Sequence, residues 1–192
     1  MFKAPVLNDL EFSGFIKDIA KKEKLDAILE SKKITLYCGF DLTAKSLHVG
    51  NLMQIMFARK FLKYGHKVIF LLGGGTTKIG DPTGRDEAKK VLSDLEIEEN
   101  KKGIASNFGQ FVDISSPNVL ILNNLDWLSK FSYIDFLREV GSHFTVNRML
   151  AMESVRARLE KQSPMNFVEF NYMLMQGYDF AYLNKNHDCI LQ

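Results

Sequence analysis

Residues 34–51 read ITLYCGFDLTAKSLHVGN. Residues 34–40 are a short apolar run that ends at Gly39, which predicts a buried strand. A loop follows over 41–47. Apolar residues then recur at Val49, Leu52, Met53, Met56, Phe57 and Phe61, a helical spacing that Gly65 stops. Further on, 67–72 predicts a second strand, GGGTTKIGDPTG over 73–84 a long turn, and 119–122 a third strand. Strand, helix and strand in alternation imply right-handed crossovers and an α/β fold on a parallel sheet.

Around this centre the pattern is mostly helical. Leu10, Phe15, Ile16, Ile19, Leu25, Ile28 and Leu29 predict one or two leading amphipathic helices within 1–33. Residues 87–111 form a charged helical stretch, and 133–139, 146–160 and 166–183 follow, the last dense in Phe, Tyr and Met. Residues 188–192 read as a strand just beginning, so the chain is expected to be part of a longer one. The 192 residues suffice for one ordinary domain, and 46% hydrophobic with 25% charged residues marks a globular chain.

Composition also excludes several functions. A net charge of +2 gives no global pull toward nucleic acid or anionic membrane. No apolar run reaches the roughly 20 residues needed to cross a bilayer, so no membrane partner is expected. The opening MFKAPVLNDLEF lacks a basic region followed by an apolar stretch, and no secretory leader is expected. Two cysteines, Cys38 and Cys189, and no clustered His/Cys spacing give neither a disulfide framework nor a metal site. A reduced, cytoplasmic setting follows.

In open parallel sheets, ligands bind at the carboxyl ends of strands, where helix N-termini supply unpaired N–H groups. The loop after the first strand occupies that place. His48 and Asn51 share one face of the helix start and are placed to donate to phosphate oxygens. The same spacing equally suits a histidine that only caps the helix and a Gly50 that is only packed. Walker A is excluded, because Gly75 and Gly80 have its glycine spacing but Asp81 and Pro82 follow. The dinucleotide fingerprint is excluded too, since Lys78 stands where its third glycine is needed. Near the C-terminus, Tyr172, Gln176 and Asp179 are spaced i, i+4 and i+7 among Phe167, Phe170, Met173, Leu174 and Phe180. A polar stripe in an apolar helix suggests a ligand pocket; a solvated helix edge is the alternative.

YCGFDLTAKSLHVGNL resembles the signature of class I aminoacyl-tRNA synthetases, in particular the bacterial-type tyrosyl-tRNA synthetase family, with HVGN in place of HIGH. LLGGGTTKIGDPTG, NNLDWL, VNRMLAMESVRARL and FVEFNYMLMQGYDFAYLN resemble it in the same order, so the likeness spans essentially all 192 residues. It implies a Rossmann-like catalytic domain, of which 1–192 is the N-terminal portion. It also implies activation of L-tyrosine by ATP, with Mg²⁺ accompanying the ATP, transfer to tRNA(Tyr), and a homodimer. Tyr37 and Asp179 would flank the phenolic hydroxyl, and Asp81, Tyr172 and Gln176 would surround the α-ammonium, with Asn124 contributing. His48 and Asn51 would contact the phosphates with help from Thr43. Gly39, Asp41 and Gly50 would form the nucleotide cradle, and Cys38 would touch the ribose. Asn51 replaces the second histidine of HIGH but still donates. Leu42 stands where the family usually has Pro, which is expected to loosen the loop and remove no polar contact.

The family continues with a Gly-Ser-Asp-Gln segment, a KMSKS-type loop and an anticodon-recognition region, none of which lies within these residues. A fragment of a tyrosine-activating enzyme is thus the first reading. A short non-catalytic binding protein descended from one is the second. The related tryptophan-activating enzyme fits less well, having no use for Tyr37 paired with Asp179. Among the remaining residues, His66, His143 and His187 read as surface or structural, Trp127 as core, and Arg148, Arg156, Arg158 and Lys161 as a solvated basic face, with contact to tRNA phosphates the alternative. Phe167 reads either as an anchor of a two-fold interface or as core.

Overall fold

The computed structural model describes residues 1–79 and 92–192. Helices α1 (Pro5–Phe12) and α2 (Lys22–Ser31) lead into strand β1 (Thr35–Asp41). Helix α3 (Val49–Lys63) crosses to β2 (Lys67–Gly73), which runs straight into a short helix, α4 (Gly74–Ile79). Helix α5 (Asp94–Phe108) precedes β3 (Val119–Asn123). Four shorter helices follow: α6 (Leu125–Leu128), α7 (Tyr133–Glu139), α8 (Val146–Leu150) and α9 (Glu153–Glu160). The long α10 (Phe167–His187) delivers the chain to β4 (Cys189–Leu191).

Among the described residues the sheet has four strands in the order β3-β2-β1-β4, and β1 pairs in parallel with both its neighbours. The chain steps outward from β1 to β3 and then returns to the opposite side of β1. The strand order therefore reverses beside β1, and a crevice opens there at the carboxyl ends of the strands.

Strand alternation divides the core in two. Leu36, Phe40, Val68, Phe70 and Leu72 face α1, α3 and α5, packing with Leu10, Ile55, Phe61, Ile104 and Phe108. Tyr37, Ile69 and Leu71 face the other way, against Trp127 and Leu183. The sheet is covered on both faces, which is why its strands read as unbroken apolar runs.

Local signals account for the helix ends. Asn166 and Glu169 form a reciprocal capping box that starts α10, and Ser93 with Glu96 does the same for α5. Gly65, at φ 78°, takes the left-handed turn that lets His66 N–H reach back to the Phe61 carbonyl at 3.1 Å. His66 is structural as expected, but it is buried: its Nδ1 accepts from Ile34 N–H at 3.1 Å.

Three expectations need correction. The stretch read as a long turn from 73 begins as α4, because Gly74 and Gly75 N–H groups are capped by the Asn123 and Asn124 side chains at 3.1 and 2.8 Å. Tertiary capping here overrides the poor helix propensity of glycine; residues 80–84 lie outside the described ones. The single helix expected over 146–160 is two, interrupted between Leu150 and Glu153. Arg158 is not on a solvated face. It is 5% exposed, and pairs with Glu169 at 3.5 Å and donates to the Pro164 carbonyl, tying α9 to the start of α10.

Candidate active site

A cavity of about 770 Å³ fills the crevice where the strand order reverses. Its floor is the end of β1. Tyr37, Gly39 and Asp41 share the face turned toward α10, so a phenol, a gap and a carboxylate follow one another. A Cβ at Gly39 would sit 3.8 Å from the Tyr37 ring, in the gap itself. One wall is α10, with Tyr172, Gln176 and Asp179 at spacings that keep all three on one side. All three line the cavity, with Asp179 buried, Tyr172 half-buried and Gln176 exposed.

Asp179 is 2% exposed. Its Oδ1 accepts from Trp127 Nε1 at 2.7 Å and its Oδ2 from Asn124 Nδ2 at 3.0 Å. Burial pushes its carboxyl up to about 6, and the two hydrogen bonds hold it from rising further. Near neutrality it is a desolvated carboxylate, with one lone pair on each oxygen left for another donor. Tyr37 is pushed above the ordinary phenol range, first by burial and then by the charge on Asp179. It stays a neutral donor, and its hydroxyl donates to Gln192 Oε1 at 2.8 Å. The Cys38 thiol is pushed up to about 12, mainly by burial, so it lines the cavity as a neutral thiol.

Asn124 is 1% exposed and braces the pocket. Its amide donates to Asp179 and, at 3.2 Å, to Thr76 Oγ1, while its carbonyl oxygen accepts from Gly75 N–H. Only one lone pair of that carbonyl remains for a ligand. Thr76 Oγ1 in turn donates to Asp41 Oδ1 at 3.3 Å. A continuous chain of side chains therefore joins the Asp179 end of the cavity to the Asp41 end.

Beyond Asp41 lies the start of α3. His48 caps it, its Nδ1 accepting from Gly50 N–H at 3.0 Å while Asn51 Oδ1 accepts from His48 N–H at 3.3 Å. A Cβ at Gly50 would fall 2.9 Å from the His48 ring, so Gly50 is where the imidazole lies. Capping and close packing are both realised. They use Nδ1 alone and leave His48 Nε2 and the Asn51 amide for a ligand at the positive end of the helix. Asn51 lines the cavity; Thr43, His48 and Gly50 are exposed and are not among the residues that line it. Asp81 lies outside the described residues.

Sequence reasoning missed Thr76, Gln192 and the role of Trp127. The threonine is hidden in a glycine-rich run, and an isolated tryptophan reads as core. Trp127 is indeed buried, but its one polar atom is what Asp179 needs.

The profile of the family described as tRNA synthetases class I (W and Y) matches residues 29–191. The chain belongs to this family. Among curated relatives, the chain is 52% identical to the tyrosine–tRNA ligase of Caulobacter vibrioides (strain NA1000 / CB15N) over 193 residues, covering all of this chain and 46% of the relative. It is 47% identical to that of Anaplasma marginale (strain St. Maries), again covering 46% of the relative. The chain thus spans about half the length of the curated relatives it matches. A C-terminally truncated Aspergillus nidulans mitochondrial tyrosyl-tRNA synthetase superposes with a TM-score of 0.84 at 29% identity, over 96% of this chain and 55% of the other. The synthetase fold expected from the sequence, a Rossmann-like parallel sheet with flanking helices, is the fold observed.

Proposed function

We propose that this chain is the substrate-binding portion of a tyrosine–tRNA ligase, which joins L-tyrosine to ATP as tyrosyl-adenylate and then passes the tyrosyl group to tRNA(Tyr). The observation that carries this reading is the buried, doubly braced Asp179 facing the cavity beside the neutral hydroxyl of Tyr37. A phenolic hydroxyl placed there donates to the carboxylate and accepts from Tyr37 once Gln192 yields. Phenylalanine would bury the same groups without pairing them, at a cost of about 1–3 kcal/mol or more for each. Tyr172 and Gln176, with Asp81, would then receive the α-ammonium, and the carboxylate would point toward the start of α3.

There His48 and Asn51, with Thr43, meet the phosphates of ATP, over a cradle of Gly39, Asp41 and Gly50, with Cys38 against the ribose. Catalysis in this arrangement is positioning and charge stabilisation, with no covalent intermediate on the protein. Mg²⁺ enters on the phosphates of ATP. Among the described residues no three His, Cys, Asp or Glu side chains converge to cage it. In the same reading the complete protein is a cytoplasmic homodimer. Phe167, 64% exposed beside Val168 at 46%, supports an interface role over a place in the core. No helix among the described residues is long and apolar enough to cross a membrane.

The test is tyrosine-dependent ATP–pyrophosphate exchange by the complete gene product, wild type against Asp179→Ala. The wild type is expected to exchange with tyrosine and not with phenylalanine, and the variant to lose that discrimination. An unchanged discrimination in Asp179→Ala would refute the pocket assignment.

A further inference from the structure

The loop between β1 and α3 has no hydrogen-bonded structure of its own, and residues 43–46 face solvent. It is gripped from outside, at both ends of one residue. Leu42 is fully buried. Its N–H donates to Thr77 Oγ1 at 2.8 Å and its carbonyl accepts from Asn100 Nδ2 at 2.8 Å, both bonds buried. Thr77 comes from α4 and Asn100 from α5, so two separate helices hold the two peptide groups that flank the Leu42 Cα, where β1 gives way to the loop. Instead of loosening here, as the family comparison led one to expect, the chain uses the Leu42 N–H, a donor that proline lacks.

The grip continues along α5. Glu99, Gly103 and Asn107 stand four residues apart on one face. Glu99 pairs with Lys45 Nζ at 2.7 Å, and Asn107 Oδ1 accepts from Leu47 N–H at 3.5 Å. Between them the loop backbone lies so close that a Cβ at Gly103 would overlap the Lys45 carbonyl. Helix α5 is itself anchored by Ile97, Ile104 and Phe108 in the core. Loop residues 42–47 therefore rest on a rigid backing that ends one residue before His48.

We propose that Thr77 and Asn100 are positioning residues for the nucleotide end of the site: through the Leu42 peptide they hold Thr43 and the start of α3 where ATP phosphates meet them. Neither lines the cavity, so their effect falls on ATP and spares tyrosine. The inference rests on the tyrosine–tRNA ligase reading above. Misplacing a reacting group by about 1 Å costs on the order of 100-fold in rate.

The experiment compares wild type, Thr77→Val, Thr77→Ser and Asn100→Ala in the complete gene product. Exchange rate is measured against ATP and against tyrosine, and amide hydrogen exchange at Leu42 is followed without ligand. Thr77→Val, which keeps shape and loses the acceptor, is expected to lower kcat/KM for ATP about 10- to 100-fold, with the KM for tyrosine within about twofold. Asn100→Ala should behave alike. Thr77→Ser, which keeps the acceptor, should match wild type within about twofold. The Leu42 amide should be protected in wild type and Thr77→Ser and exchange at least about tenfold faster in Thr77→Val. Wild-type ATP kinetics in Thr77→Val, equal loss in Thr77→Ser, or an unchanged Leu42 amide overturns the proposal. A wild-type protein with no tyrosine-dependent exchange overturns the ligase reading instead.

Discussion

Trp127 donates its indole N–H to Asp179 Oδ1 at 2.7 Å, the shorter of the two bonds, beside that from Asn124, that keep a buried carboxyl ionisable. Replacing Trp127 by Phe keeps most of the packing and removes the donor. Hydrogen bonds to charged groups contribute about 1.5–3 kcal/mol. Trp127→Phe is therefore expected to weaken tyrosine binding roughly 10- to 100-fold at pH 7, and to move the pH midpoint of binding upward from about 6. Titration calorimetry across pH measures both. A wild-type midpoint in the variant would show that the bond does not govern Asp179.

The same carboxyl links stability and affinity to pH in opposite directions. Its folded value, about 6, lies above the ordinary 3.8, so the stabilisation it contributes is full below about pH 4 and lost as pH rises through 6. That loss is worth about 3 kcal/mol in the unliganded protein. On the proposed function, tyrosine by contrast uses the ionised form as acceptor, and its Kd should rise about tenfold between pH 7 and pH 5. Asp179→Ala should flatten both dependences; melts and binding isotherms at matched pH give the comparison.

His48 Nδ1 caps α3, worth about 1 kcal/mol of stability, which leaves Nε2 for the phosphate contact proposed above. His48→Ala is expected to slow tyrosine-dependent exchange with tyrosine affinity nearly unchanged. His48→Asn restores a capping oxygen and should recover the melting temperature but not the rate. Equal recovery of both would assign His48 to capping alone.

Arg158 and Glu169 are about equally buried, and Glu169 also serves the capping box of α10 through Asn166 N–H at 3.1 Å. Removing one partner strands the other charge, at about 3–5 kcal/mol. Arg158→Met should therefore lower the melting temperature by roughly 10 °C. Adding Glu169→Gln neutralises the stranded group while keeping an oxygen for the cap, and should return most of the loss. Calorimetry of single and double variants decides.

The parallel sheet was legible because its signals are local: apolar runs in β1 and β2, glycine stops, and helical periodicity between them. The polar stripe of α10 was legible for the same reason, since Tyr172, Gln176 and Asp179 lie close in sequence. What the sequence hides are bonds between distant segments. Asn124 and Asp179 are 55 residues apart, and Leu42 and Asn100 are 58 apart. Helix α4 escaped because its caps, Asn123 and Asn124, come from the far end of β3. Arg158 looked solvated because its partner sits across a turn, outside the period of its own helix.

Trp127 is the sole tryptophan of the chain, and it stacks on Tyr182 at 4.2 Å and 15° while holding Asp179. The only indole thus sits in van der Waals and hydrogen-bond contact with the wall of the cavity. Its fluorescence reports on that wall without any label. A ligand that bonds Asp179 should change the field at the indole N–H, and with it the emission colour and quantum yield.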